Sequence, residues 1–302
     1  MEKLKKIIQN LPWIGFIYVL IGAFLFSSKG VVIKLAYNEG VDALSVLTFR
    51  MIFAAPFYLF FAFKPIPKAN NVTQNDISLL ILLGIVGYYF SSLFDFYGLE
   101  TISAGLERLI LFIYPTFVAL LAFFILKKEI KWFTWISLLL TYLGVLLVVL
   151  HDVNTYKKAA YVGMGFVALS ALTYAIYMVF SEKLIHKFGT IIFTSWVMLV
   201  STVCVVIHYL FTNSLRNLFN YSTKFYILAL ILAFFGTVIP SFLATAGMKL
   251  IGAKNSAITA TIGPVWTIIL ANLVLNEPVQ AIQIAGTFLV VIGVLLSAIN
   301  KS

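Results

Sequence analysis

Five ionisable residues stand where charge is expensive. Lys29, Arg50, Asp95, Glu107 and Arg108 each interrupt an apolar stretch long enough to cross a bilayer. A charge at the centre of a hydrocarbon layer costs at least about 2.5–3.5 kcal/mol on insertion scales, so such residues face a partner or a polar cavity. At about 1.5 Å of helical rise per residue, all five fall in the same half of the layer. A carboxylate and a guanidinium facing one cavity can hold the two ends of a zwitterion, or pair with each other until a substrate or a proton intervenes. Glu107 and Arg50 are therefore the leading candidates for lining a substrate cavity, with Arg108, Asp95 and Lys29 behind them. Glu107 is also a candidate proton carrier. Glu107 and Arg108 are neighbours in sequence and point about 100° apart on a helix, so one of them is expected to meet an adjacent helix instead. The competing reading is a static ion-pair lock, or side chains that snorkel to headgroups.

Ten apolar stretches must position these residues: 11–36, 42–63, 77–99, 102–126, 131–151, 159–182, 190–211, 224–249, 253–275 and 280–299. Backbone in lipid must satisfy its own hydrogen bonds, so each is read as a helix and the fold class as all-α integral membrane. Hydrophobic residues make up 62% of the 302 and charged residues 11%, which leaves no room for a soluble domain of any size. The net charge of +10 is spread over loops and forms no basic stripe, which excludes a nucleic-acid partner. Thirteen of the 21 Lys and Arg fall on the side of the N-terminus and five on the other, which predicts both termini in the cytoplasm and a multi-pass protein of the cytoplasmic membrane. Trp13, Trp132, Trp135, Tyr156, Tyr161, Tyr221 and Tyr226 sit near span ends, where interfacial aromatics belong.

The chain also repeats itself. Gly87, Gly98 and Pro115 recur as Gly236, Gly247 and Pro264 at a constant spacing of 149, and Gly144-Val145-Leu146-Leu147 recurs as Gly293-Val294-Leu295-Leu296. Each copy holds five helices, residues 1–152 and 153–302, within one compact membrane domain. An odd number of crossings makes the second copy insert upside down, a 5+5 inverted repeat with its substrate site near the repeat interface. The repeat-two counterparts of Asp95, Glu107 and Arg108 are Ala244, Ser256 and Ala257, so a symmetric scaffold carries an asymmetric polar site. Tyr114 and Trp266 flank Pro115 and Pro264 at equivalent places and are the aromatic cavity candidates. The two prolines are candidate hinges, because each removes a backbone hydrogen bond. Gly144, Gly286 and Gly293 are read as packing sites, with dimerisation through the terminal helices as the weaker reading, so a monomer or a homodimer is expected.

The stretch from Tyr97-Gly98-Leu99-Glu100-Thr101-Ile102-Ser103-Ala104-Gly105, through Tyr114-Pro115-Thr116-Phe117-Val118-Ala119-Leu120-Leu121-Ala122, to Glu129 resembles the drug/metabolite transporter superfamily, and more narrowly its ten-helix EamA type. Gly263-Pro264-Val265-Trp266, Leu275-Asn276-Glu277-Pro278, Gly286 and Gly293 carry the resemblance through the second half, and Leu47-Thr48-Phe49-Arg50 resembles the family's second helix. The resemblance implies a 5+5 inverted repeat, alternating access and transport of small metabolites, among them amino acids, across a cytoplasmic membrane. The chain departs from the common pattern at Leu106-Glu107-Arg108, where many members carry only small and apolar residues.

No cofactor is read. The single cysteine, Cys204, excludes an intrachain disulfide and a thiolate cluster. There is no Gly-x-x-x-x-Gly-Lys-Ser/Thr loop, no His-Glu-x-x-His and no Gly-x-Ser-x-Gly elbow, so energy must come from a proton or substrate gradient, or from exchange. The expected partners are a small-molecule substrate and the lipid bilayer. An integral-membrane enzyme acting on a lipid or isoprenoid is the alternative, supported only by the charge cluster.

Overall fold

In apolar runs of 20 residues and more the helix lets the backbone satisfy its own hydrogen bonds, and among the described residues every regular element of the computed structural model is helical. The structure describes residues 12–63, 72–127, 132–153, 159–213, 218 and 220–299. The first crossings are α1 (Pro12–Tyr37), α2 (Ala43–Ala62), α3 (Gln74–Thr101), α4 (Ala104–Leu111 and Tyr114–Leu126) and α5 (Trp132–Val153). The second set is α6 (Ala159–Phe188), α7 (Thr190–Thr212), α8 (Thr223–Ala253), α9 (Asn255–Leu275) and α10 (Ala281–Ile299). Among the described residues eight of these meet the length and apolarity of a membrane crossing. In α5 and α10 the qualifying apolar stretches are shorter, Leu139–Val148 and Ala281–Gly293. Large apolar side chains such as Phe124, Trp132, Phe211 and Phe288 are exposed on the outside, where lipid would cover them. Glu129, Tyr156 and residues 1–11 lie outside the described residues.

Polar caps set the helix starts. Asp42 accepts from the Ser45 amide at 3.0 Å, Thr73 and Asp76 form a capping box, and Ser103 and Ser222 cap α4 and α8. The helix ends repeat as well: Lys127 and Asn276 both close their helices in the left-handed region, with φ of 52° and 54°. Each of α3 and α8 carries a π-helical turn, at Gly84–Phe90 and Phe234–Val238. Pro115 and Pro264 occupy the first turn of the second segments of α4 and α9, where a missing amide costs no hydrogen bond, so the bond loss expected from sequence does not occur and the prolines mark helix starts instead. The segments they open follow the Phe112–Ile113 turn and the 3₁₀ turn Ala260–Ile262.

Packing shows the same two-fold relation. α1 lies on α8 and α9, while α6 lies on α3 and α4, and exchanging the repeats maps one arrangement onto the other. α2 pairs with α7 and α5 with α10, so those contacts map onto themselves. Glycines permit the close crossings. A Cβ on Gly98 would lie 2.4 Å from Val167 Cγ2 and 3.0 Å from the Gly163 carbonyl. A Cβ on Gly247 would lie 2.4 Å from Val19 Cγ2 and 3.0 Å from the Gly15 carbonyl. Gly144 and Gly286 meet each other within the chain, each Cβ position 2.6–2.7 Å from the other's carbonyl oxygen.

Gly98→Ala and Gly247→Ala are each expected to cost about 1–3 kcal/mol by overpacking. Gly165→Ala, whose Cβ meets nothing within 4 Å, is the matched control. Thermal unfolding in detergent reads the difference, and equal midpoints for all three variants would refute the close-crossing account.

Candidate functional site

Where the two repeats meet, the helices leave a cavity of about 110 Å³. Repeat one contributes Ser27 and Lys29 from α1, Arg50 from α2, Tyr88, Ser91 and Ser92 from α3, and Arg108 and Tyr114 from α4. Repeat two contributes Ser170, Tyr174 and Met178 from α6, Met198 from α7, Thr237, Ala244 and Met248 from α8, and Ser256 from α9. The wall thus alternates hydroxyls and aromatic faces with thioethers, and its charged members are all cations.

The five ionisable residues expected from sequence do come together, in two layers. Lys29, Arg50 and Arg108 line the cavity; Asp95 and Glu107 stand behind them. Lys29 Nζ pairs with Asp95 Oδ2 at 2.5 Å. The carboxyls of Asp95 and Glu107 lie within hydrogen-bond reach of each other. Glu107 Oε2 in turn is 3.9 Å from Arg108 Nε, and Arg108 Nη2 donates to the Phe26 carbonyl. The result is a buried chain, Lys29–Asp95–Glu107–Arg108, joining α1, α3 and α4. Gly30 makes it possible, since a Cβ there would lie 3.2 Å from Glu107 Oε2. Of the neighbours Glu107 and Arg108, the arginine is turned to the cavity and the glutamate towards α1 and α3. Arg50 stands apart from the chain: its Nη2 donates to Ser92 Oγ at 2.8 Å and its guanidinium lies 4.9 Å above the Phe96 ring.

Tyr114 lines the cavity, donates to the Ala257 carbonyl at 3.3 Å and meets Tyr174 edge-on. Trp266 does not reach the wall. It stacks on Phe24 with centroids 4.2 Å apart, and its indole N–H has no partner among the described residues. Tyr88 and Tyr174, which the sequence did not single out as site residues, are wall residues. So is Ser256, the uncharged counterpart of Glu107, whose hydroxyl has no hydrogen-bond partner among the described residues. Ser91 and Ser170 tie the repeats together at the cavity wall, Ser170 Oγ donating to the Ser91 carbonyl at 2.7 Å.

The sequence profile of the EamA-like transporter family matches the chain twice, over residues 13–150 and 161–299. The chain belongs to that family. It is 30% identical over 287 residues to "Uncharacterized transporter YcbK" of Bacillus subtilis, covering 92% of each chain. It is 26% identical to an "Uncharacterized transporter" of Clostridium kluyveri, covering 95% of this chain and 93% of that one. A solved crystal structure superposes with a TM-score of 0.67 over 94% of this chain and 96% of its own, at 14% identity, which speaks for the fold. Family and relatives make this a multi-pass membrane protein of a transporter family, and not an enzyme. The fold is the two-repeat, inverted arrangement.

One contact at the site's edge involves a residue that the sequence marked only as part of the family resemblance. Glu277, just beyond α9, reaches the start of α4, where its carboxylate accepts from the Ala104 and Gly105 amides at 3.1 and 3.4 Å. A carboxylate there answers both the free amides and the positive end of the helix that carries Glu107 and Arg108. Glu277→Ala is expected to lower stability by about 1 kcal/mol, with Glu277→Gln intermediate because it keeps one acceptor. Thermal unfolding of the three proteins checks this, and an alanine variant as stable as wild type would contradict it.

Proposed function

We propose that the chain is a secondary transporter that moves a small polar or amphipathic metabolite across the cytoplasmic membrane by alternating access. The observation that carries this reading is the cavity walled by both repeats. A site at the interface of inverted repeats changes its access when one repeat rocks against the other. Pro115 and Pro264, at matching breaks in α4 and α9, are the proposed hinges. The excess of Lys and Arg on the side of the N-terminus supports cytoplasmic termini, which puts the charge cluster in the outer half of the membrane.

The Asp95–Glu107 pair is the proposed proton site. Two facing carboxyls that share one proton make a hydrogen bond; without it, two like charges stand in contact inside a low-dielectric core. Apart from that contact, Asp95 Oδ1 and both Glu107 oxygens have no hydrogen-bond partner among the described residues, and only the Arg108 guanidinium stands near Glu107 Oε2. Lys29 of α1 and Arg108 of α4 face the pair directly, and among the described residues Tyr37 of α1 and Arg50 of α2 also lie within electrostatic reach of it. A movement that separates α3 from α4, or draws Lys29 or Arg108 away, changes the pair's hold on its proton.

The test is flux through purified protein in liposomes that enclose a pH-sensitive dye, challenged with a metabolite panel. One compound class is expected to drive saturable, protein-dependent proton movement. Glu107→Gln is expected to lose that proton movement while retaining exchange of the same compound. Unchanged proton movement in the variant would remove Glu107 from the coupling, and the absence of saturable flux for every class would reject the transporter reading. A reporter fused to the C-terminus is expected to signal a cytoplasmic position; a signal from the opposite side would overturn the proposed orientation.

A further inference from the structure

We infer that the central cavity binds a small organic anion, a carboxylate with a compact apolar body, and that Arg50 holds its charged end. This deepens the transporter reading and rests on it. The first observation is the sign of the wall. Lys29, Arg50 and Arg108 line the cavity, and among the described residues no carboxylate does. Lys29 already has Asp95, and Arg108 has the Phe26 carbonyl with Glu107 close by. Arg50 has neither. It is only 3% exposed, its Nη2 donates to Ser92 Oγ and, at 3.5 Å, to the Met51 thioether, and its Nε has no acceptor among the described residues. A guanidinium offers five donors in a planar fork, and removing it from water without a counter-charge is costly. A carboxylate matches that fork with two parallel hydrogen bonds.

The second observation is the rest of the wall. Val19, Ala23, Leu111, Met178, Met198 and Met248 give it an apolar side, which suits an organic body and not a bare inorganic ion. A cavity of about 150 Å³ accepts a benzene ring, so the 110 Å³ found here sets a compact limit on that body. An ammonium group would find cations around it and no carboxylate on the wall. The zwitterion clamp expected from sequence therefore loses its acidic half, because Glu107 is turned away. The rival account is that Arg50 is structural, held by Ser92 and the face of Phe96.

The test uses three small molecules of one shape: propionate, propionamide and propionamidinium, which are negative, neutral and positive. Thermal unfolding of the purified full-length protein is measured with each. Propionate is expected to raise the midpoint and the other two to leave it unchanged. Arg50→Gln is expected to weaken propionate binding about tenfold or more, and Arg50→Lys, which keeps the charge but not the fork, by less. Ala244→Asp places a carboxylate on the wall at the repeat-two counterpart of Asp95. It should abolish the propionate response, and it decides the matter should Arg50→Gln fail to fold. Propionamide or propionamidinium stabilising as well as propionate, no response to propionate, or an undiminished response in Arg50→Gln or Ala244→Asp would each overturn the inference. Counterflow of radiolabelled propionate into proteoliposomes at alkaline pH separates the two readings. Anion-selective stabilisation without protein-dependent counterflow would leave the anion site standing and reject transport.

Discussion

The Lys29–Asp95 ion pair, 2.5 Å long and almost fully removed from solvent, is the contact around which this half of the bundle is arranged. A buried charge is tolerable only when matched within a few ångströms. The pair therefore fixes α1 against α3, and Glu107 and Arg108 extend the match to α4. Gly30 leaves space for the Glu107 carboxyl, and the caps Ser103 and Glu277 hold the first turn of α4 at the depth where its two charges join the chain. With the carboxyls drawn behind Lys29 and Arg108, only positive groups are left on the cavity wall. The sign of the site is thus a consequence of how the structural charges are stacked, and not of any single residue facing inward.

The duplicated scaffold makes clear how this asymmetry is built. Around the π-helical turns, Gly87 of α3 lies against Tyr177 of α6, and the matching Gly236 of α8 lies against Lys29 of α1. One position of the fold is therefore a tyrosine in one repeat and the paired lysine in the other. Ala244, Ser256 and Ala257 stand where repeat one has Asp95, Glu107 and Arg108. The glycine crossings and the helix breaks, which set geometry, are kept in both copies; the ionisable residues are kept in one. Placing the charge in only one of two inverted copies leaves the cavity with a charged wall and an uncharged one.

Much of the fold was legible because a bilayer imposes length and apolarity, and both are local properties of sequence. The helix bounds agree with the apolar stretches to within a few residues at most ends. The exception is α6, which runs on to Phe188 through Glu182, Lys183, His186 and Lys187. Hydropathy marks where the apolar run stops, whereas the backbone stays helical until Gly189, whose φ of 82° ends it. The break in α4 at Phe112–Ile113 was signalled only by the proline that follows. For the site, the set of five charges was legible from their cost in lipid, but not the direction each one faces. That direction depends on how far each helix is rotated against its neighbours. An angle of about 100° separates Glu107 from Arg108, and only tertiary packing decides which one meets the cavity. Trp266 shows the same limit: its place beside Pro264 was plain, while its stacking on Phe24 depends on a contact between α1 and α9.

The two proposals constrain each other through charge. Three cations surround the cavity and two carboxyls stand behind them, so one positive charge is uncompensated when both carboxyls are ionised, and two when they share a proton. An anion in the cavity offsets one charge in either case. It also competes with Asp95 and Glu107 for Lys29 and Arg108, and every step of the substrate towards those cations weakens their hold on the carboxyls and favours a proton between them. By reciprocity, a proton on the carboxyl pair frees the cations for the substrate. Anion and proton then cross together, and the wall's net charge is the same in the loaded state as in the empty, unprotonated one. A carrier built this way needs no large change in buried charge between its outward and return strokes. This is the physical requirement that a charged site inside a membrane has to meet.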